Sequence, residues 1–213
     1  MTTSQPFGTA VPIAANNPSA TFITPFVTAN GAALYFATDL ADAGGKGGFD
    51  IFVASPPSSG TFANVSALNT SSSEYGLWLS PSDSEAYFSS NRTGAEGLDD
   101  IYASTAASSS FGAPSPVANL NSAAADNTLT ITADGKTIYF GSTRSGADQI
   151  WVATRTDTTV SFSVPTAVTE LATAEDAAPT WISPDGCNLY FQSAHAYPGA
   201  KGGTDIYVAT KPK

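Results

Sequence analysis

The strongest pattern along the chain is a pair of adjacent aromatics that returns at almost constant intervals. Tyr35-Phe36, Tyr87-Phe88, Tyr139-Phe140 and Tyr190-Phe191 lie 52, 52 and 51 residues apart. A turn precedes each pair: Ala29-Asn30-Gly31, Pro81-Ser82-Asp83, Ala133-Asp134-Gly135 and Pro184-Asp185-Gly186. Asn-Gly and Asp-Gly adopt positive φ at little steric cost, so these segments predict tight hairpins. A further strand follows each pair: Asp50-Ile51-Phe52-Val53, Asp100-Ile101-Tyr102-Ala103, Gln149-Ile150-Trp151-Val152 and Asp205-Ile206-Tyr207-Val208. A looser strand, opened by Phe62, Phe111 or Phe162, comes next, and a short strand leads into the following hairpin. None of these segments has helical periodicity.

Four short strands in a unit of ~50 residues, repeated four times, predict an all-β, four-bladed β-propeller with four antiparallel strands per blade. The blades span about 22–68, 76–120, 128–171 and 179–210, within one domain covering 1–213. The chain ends after the third strand of the last repeat. The missing strand has a match at the other end, where Phe7-Gly8-Thr9-Ala10-Val11-Pro12-Ile13 aligns with Phe111-Gly112-Ala113-Pro114-Ser115-Pro116-Val117. Residues 7–15 are therefore expected to complete the fourth blade and close the ring, removing an open sheet edge. Closure within one chain, and hence a monomer, is the expectation. A swapped dimer is the alternative.

The run Ser183-Pro184-Asp185-Gly186, Leu189-Tyr190-Phe191 and Gly202-Gly203-Thr204-Asp205-Ile206-Tyr207 resembles the WD40-like, SPDG-type repeat of TolB-like β-propellers from bacterial envelope proteins. The resemblance covers almost the whole chain. It implies a periplasmic or secreted binding module. That family's propellers have six blades against four here, and no OmpA-like peptidoglycan-binding segment is present. The opening Met1-Thr2-Thr3-Ser4 has no basic or apolar leader pattern, so no signal peptide is read in this sequence.

Charge narrows the partners. Eighteen acidic against eight basic residues give a net charge of −10, and the basic residues are scattered. Such a surface repels nucleic acid and anionic membranes. No apolar run approaches the length of a membrane span. The single cysteine, Cys187, excludes an internal disulfide and reads as an inert thiol.

Candidate chemistry falls on the face that carries the loops after each Tyr-Phe strand. Lys46, Arg92, Arg144, His195, Tyr197 and Lys201 lie in those loops, and Glu74, Asp126 and Asp176 precede the inner strands. Together these nine form a candidate binding rim for a glycan, a peptide or a protein at the channel mouth. Lys46 and Lys201 would share one side of it. Asp50, Asp100 and Asp205 read as a structural device that accepts loop N–H groups. Trp78 and Trp181 recur at one inner-strand position and either stack on a sugar or pack between blades. No nucleophile elbow, phosphate loop or zinc-protease motif occurs. The reading is a non-catalytic module without a cofactor. The alternative is a small hydrolase or lyase acting on sugars or lactones through rim carboxylates and Ca²⁺.

Overall fold

A computed structural model describes residues 19–41, 44–94, 96–107 and 110–212. The chain is an all-β, four-bladed β-propeller. Blade 1 orders β1 (Phe22–Val27), β2 (Leu34–Thr38), β3 (Asp50–Ala54) and β4 (Ala63–Asn64) side by side. Blade 2 contains β5 (Glu74–Leu79), β6 (Glu85–Ser90) and β7 (Asp100–Ala107), with β8 (Ser110–Phe111) and β9 (Ser115–Pro116) both pairing with β7. Blade 3 runs β10 (Asp126–Ile131), β11 (Thr137–Ser145), β12 (Ala147–Thr154) and β13 (Thr166–Ala167). In blade 4 the described strands are β14 (Ala177–Ile182), β15 (Asn188–Ser193) and β16 (Asp205–Thr210). The ring-closing strand expected from residues 7–15 lies outside the described residues.

The recurring Tyr-Phe pair now has a physical reason. Successive side chains of a strand point to opposite faces, and a blade inside the array buries both. Phe88 faces blade 1 in a cluster with Tyr35, Ile51 and Leu68. Its neighbour Tyr87 faces blade 3 with Ile101, Leu129 and Phe140. Tyr139 and Phe191 repeat the arrangement between blades 3 and 4. The blades are thus held by apolar layers of alternating origin. The inner strands pack in sequence, β1 on β5, β5 on β10 and β10 on β14.

Two glycine positions follow from close approach. A Cβ on Gly47 would sit 1.9 Å from the carbonyl oxygen of Ser72, and one on Gly97 would sit 2.0 Å from that of Ala124. In both blades the loop before the third strand is crossed by the link to the next blade, so only glycine fits. The aspartate that follows caps the same loop. Asp50 Oδ2 accepts from the N–H groups of Lys46 (2.7 Å) and Gly47 (3.1 Å). Asp100 Oδ2 accepts from Gly97 N–H (3.1 Å), and Asp205 Oδ2 from Lys201 N–H (2.9 Å).

Candidate functional site

Every inner strand is interrupted at one place. The register slips between Ile23 and Phe26, Tyr75 and Trp78, Asn127 and Thr130, and Pro179 and Trp181. These β-bulges centre on Thr24, Gly76, Thr128 and Thr180. Thr24, Gly76 and Thr128 have φ of 48°, 67° and 43°. A β-branched residue at positive φ is strained and persists only where its surroundings impose it. Part of that support is a hydrogen bond between blades, in which Gly76 N–H donates to Thr24 Oγ1 (3.0 Å). Between blades 3 and 4, Ile182 N–H donates to Thr130 Oγ1 (3.2 Å).

The bulges aim the inner strands at a shared hollow of about 410 Å³, the central channel. Its wall comprises Thr24–Phe26, Gly76–Trp78, Thr128–Ile131, Pro179–Ile182 and Gln192. None of these side chains is ionisable. Aromatic surface comes from Phe26, Trp78 and Trp181, and hydrogen-bonding groups from the threonines and Gln192. Trp181 is half exposed and packs at a tilt on Tyr190, with ring centroids 5.5 Å apart. A larger crevice of about 490 Å³ lies between blades 3 and 4 and includes Tyr139, Val152 and Cys187. Its counterpart between blades 1 and 2 uses Tyr35 and Val53, the same repeat positions. The crevice is therefore a property of the repeat, whereas the channel is a hollow to which all four blades contribute.

The nine rim candidates do not assemble into one site. Glu74 and Asp126 are fully buried inside their blades. Arg92 Nη2 pairs with Glu74 Oε1 at 3.2 Å and donates to the Leu68 carbonyl at 2.6 Å, while its Nε–H donates to Ser90 Oγ at 3.0 Å. Its guanidinium lies over the rings of Phe88 and Tyr102. Arg144 repeats each contact with Asp126, Leu120, Ser142, Phe140 and Trp151. These are staples that fasten one blade to the last turn of the blade before it. Blade 4 puts Ala177 at the carboxylate position and His195 at the arginine position. Tyr197 takes over the staple there, with its hydroxyl 3.4 Å from the Leu171 carbonyl. His195 Nδ1 instead meets Glu175 Oε2 at 2.8 Å, and this contact holds the Glu175 carboxyl below its ordinary range. Lys46 Nζ donates to the Ser66 and Asn69 carbonyls of its own blade. No hydrogen bond or ion pair among the described residues joins Lys46 to Lys201.

Asp176 leads to a group that the sequence did not single out. Its Oδ1 accepts from the N–H of Asp148 at 3.0 Å. Asp148 Oδ1 is buried without a hydrogen-bond partner. Burial, followed by the charges of Asp176 and Asp126, pushes the Asp148 carboxyl up to about 6. In the unfolded chain it titrates near its ordinary value of 3.8, so between these limits the folded state binds the extra proton. Stability contributed by this group is present at low pH and is lost as pH rises through about 6. Because the carboxyl is partly exposed, solvent screening limits the effect to roughly 1–2 kcal/mol. Asp148→Asn is expected to stabilise the protein at pH 7 and to flatten melting temperature against pH between about 4 and 6. An unchanged pH profile would contradict the assignment.

No sequence-family profile matches the chain, and no curated protein is detectably similar in sequence. Solved structures do match. A putative TolB from Agrobacterium tumefaciens superposes with a TM-score of 0.57 at 19% identity, covering 86% of this chain and 64% of that one. TolB from Acinetobacter baumannii gives 0.56 at 17% identity, covering 89% and 41% respectively. The fold is that of a TolB-like β-propeller. A puromycin hydrolase also superposes, with a TM-score of 0.54 at 12% identity over 93% of this chain and 30% of that one. The chain therefore spans less than two thirds of these TolB structures. At such identities the TolB-like likeness establishes the fold alone. Among the described residues no helix is long and apolar enough to cross a membrane.

The sequence reading singled out Trp78 and Trp181 of the channel wall, but the bulged positions beside them escaped it for a definable reason. Thr24, Gly76 and Thr128 recur every 52 residues, and Pro179 holds the fourth place, two before Trp181 as Gly76 is two before Trp78. None is a large apolar residue, so hydrophobic periodicity does not flag them.

Proposed function

We propose that this propeller is a non-catalytic binding module of the bacterial envelope or exterior that seats a neutral glycan on the wall of its central channel. The observation that carries this reading is the chemistry of the wall. It offers indole and phenyl faces, threonine hydroxyls and one amide, and no ionisable side chain. Aromatic faces stack on the apolar side of a sugar ring, and hydroxyls and amides exchange hydrogen bonds with its edges. The volume of about 410 Å³ suits a ligand of one or two rings. The likeness to TolB supports an envelope setting for such a module. Charged rim groups such as Lys201 and the His195–Glu175 pair would tune access and orientation rather than perform chemistry.

The test is calorimetric titration with a panel of neutral oligosaccharides, read alongside tryptophan fluorescence. Binding accompanied by a change in indole emission is expected. Trp181→Ala should weaken it about tenfold or more, in line with the loss of one stacking contact and its desolvated area. Binding that is indifferent to Trp181→Ala, or no binding across the panel, would overturn the proposal.

A further inference from the structure

Gly141 leaves a small space that three oxygens share. A Cβ at this position would lie 2.7 Å from Thr128 Oγ1, 3.0 Å from Asp148 Oδ1 and 3.4 Å from Asn127 Oδ1. Gly141 belongs to β11, with Asn127 and Thr128 on β10 to one side and Asp148 on β12 to the other. Successive side chains of a regular strand point to opposite faces. The bulge after Asn127 relaxes that alternation, so Asn127 and Thr128 both turn toward the space, their oxygens 3.1 Å apart. The other blades do not build this cradle. Gly141 is replaced there by Ala37, Ser89 and Gln192, and Asn127 by Ile23, Tyr75 and Ala178.

All three oxygens act as acceptors. The Thr128 hydroxyl donates its proton to Asn127 Oδ1, so toward Gly141 it offers a lone pair. Asp148 Oδ1 is buried and has no hydrogen-bond partner among the described residues. Burial and the carboxylates of Asp176 and Asp126 all act against its charge. A further carboxylate, Asp99, lies beside the Tyr75 phenol, which also meets Asn127. A water molecule has two protons for three acceptors and leaves the charge uncompensated. A cation answers both needs.

We propose that this cradle is a calcium site, with Asp148 Oδ1, Asn127 Oδ1 and Thr128 Oγ1 as protein ligands and water completing the shell. Ca²⁺ accepts an irregular set of carboxylate, amide and hydroxyl oxygens, whereas Mg²⁺ demands a near-ideal octahedron. The donors include no nitrogen or sulfur, which sets zinc aside. A bound ion would tie β10 and β12 together across β11. The inference stands apart from the channel reading, because of the three ligands only Thr128 also lines the channel.

Calorimetric titration of the chelator-treated full chain with calcium chloride at neutral pH tests it. One ion per chain is expected, with a Kd of roughly 0.1–1 mM, the range of extracellular modules. Tb³⁺ used in place of Ca²⁺ should luminesce on tyrosine excitation, because Tyr75 stands beside the cradle, and Ca²⁺ should reverse the signal. Asp148→Asn should weaken Ca²⁺ binding about tenfold or more without loss of the fold, since in calcium-free buffer this variant is expected to melt higher than the parent. Gly141→Ala, which fills the cradle, should also abolish binding; should it fail to fold, Asp148→Asn decides alone. Asp157→Asn, at an exposed position, should leave binding unchanged. Absence of saturable Ca²⁺ binding at about ten times the expected Kd would overturn the proposal. So would full affinity in Asp148→Asn, or Mg²⁺ binding as tightly as Ca²⁺.

Discussion

Arg144→Ala is expected to destabilise the propeller by about 3–5 kcal/mol, a large share of the total stability of a single domain. The reason lies with the partner. Asp126 is fully buried, and its carboxylate is held by Arg144 and by the N–H and hydroxyl of Ser122, the latter two at 2.6 and 2.8 Å. Removing the guanidinium leaves a buried charge without its counter-ion. It also leaves the Leu120 carbonyl without a donor and uncovers the rings of Phe140 and Trp151. Urea denaturation at neutral pH measures the loss. Arg144→Ala combined with Asp126→Asn should recover part of it, because the uncompensated charge is then gone. A loss under about 1 kcal/mol would show that the pair behaves as an exposed ion pair rather than a buried one.

Phe88→Ala is expected to cost a similar amount, about 3–5 kcal/mol, through a different mechanism. Phe88 is completely buried at the layer between blades 1 and 2, among Tyr35, Ile51, Leu68 and Leu77. Its ring lies 5.9 Å from that of Tyr102 and supports the Arg92 guanidinium at 5.1 Å. Alanine leaves a cavity enclosed by two rigid sheets, which cannot collapse onto it. The exposed Val164 serves as a control, and Val164→Ala should change stability by less than about 0.5 kcal/mol. Phe88 and Arg144 belong to different blade interfaces, so the two losses should add. Strong non-additivity would mean that the interfaces open together.

The sequence made the architecture legible because a repeated fold repeats its constraints. The Tyr-Phe pairs recur because strands buried on both faces need one large side chain on each. The Asn-Gly and Asp-Gly turns recur because each hairpin needs positive φ at the same step, as at Gly31, Gly135 and Gly186. The aspartates opening the third strand recur because each caps its own loop.

The site was less legible. Arg92 and Glu74 stand 18 residues apart and look like two independent surface charges in the sequence. Only the pairing of β5 with β6 lays Glu74 opposite Ser90 and brings Arg92 onto both. The same holds for His195, which occupies an arginine position beside a blade that has lost its buried carboxylate.

What the amino-acid order determined alone is the local programme: where strands start, where they turn, and how many times the unit is written. Those choices depend on backbone preference and on alternation over a few residues, which are short-range and therefore readable. What only the tertiary structure decided is which copies of that unit find a neighbour. Ile101 and Ile206 are equivalent in the repeat, yet one is sealed and the other faces solvent. Burial depends on the blade that lies alongside, and a linear pattern does not encode that.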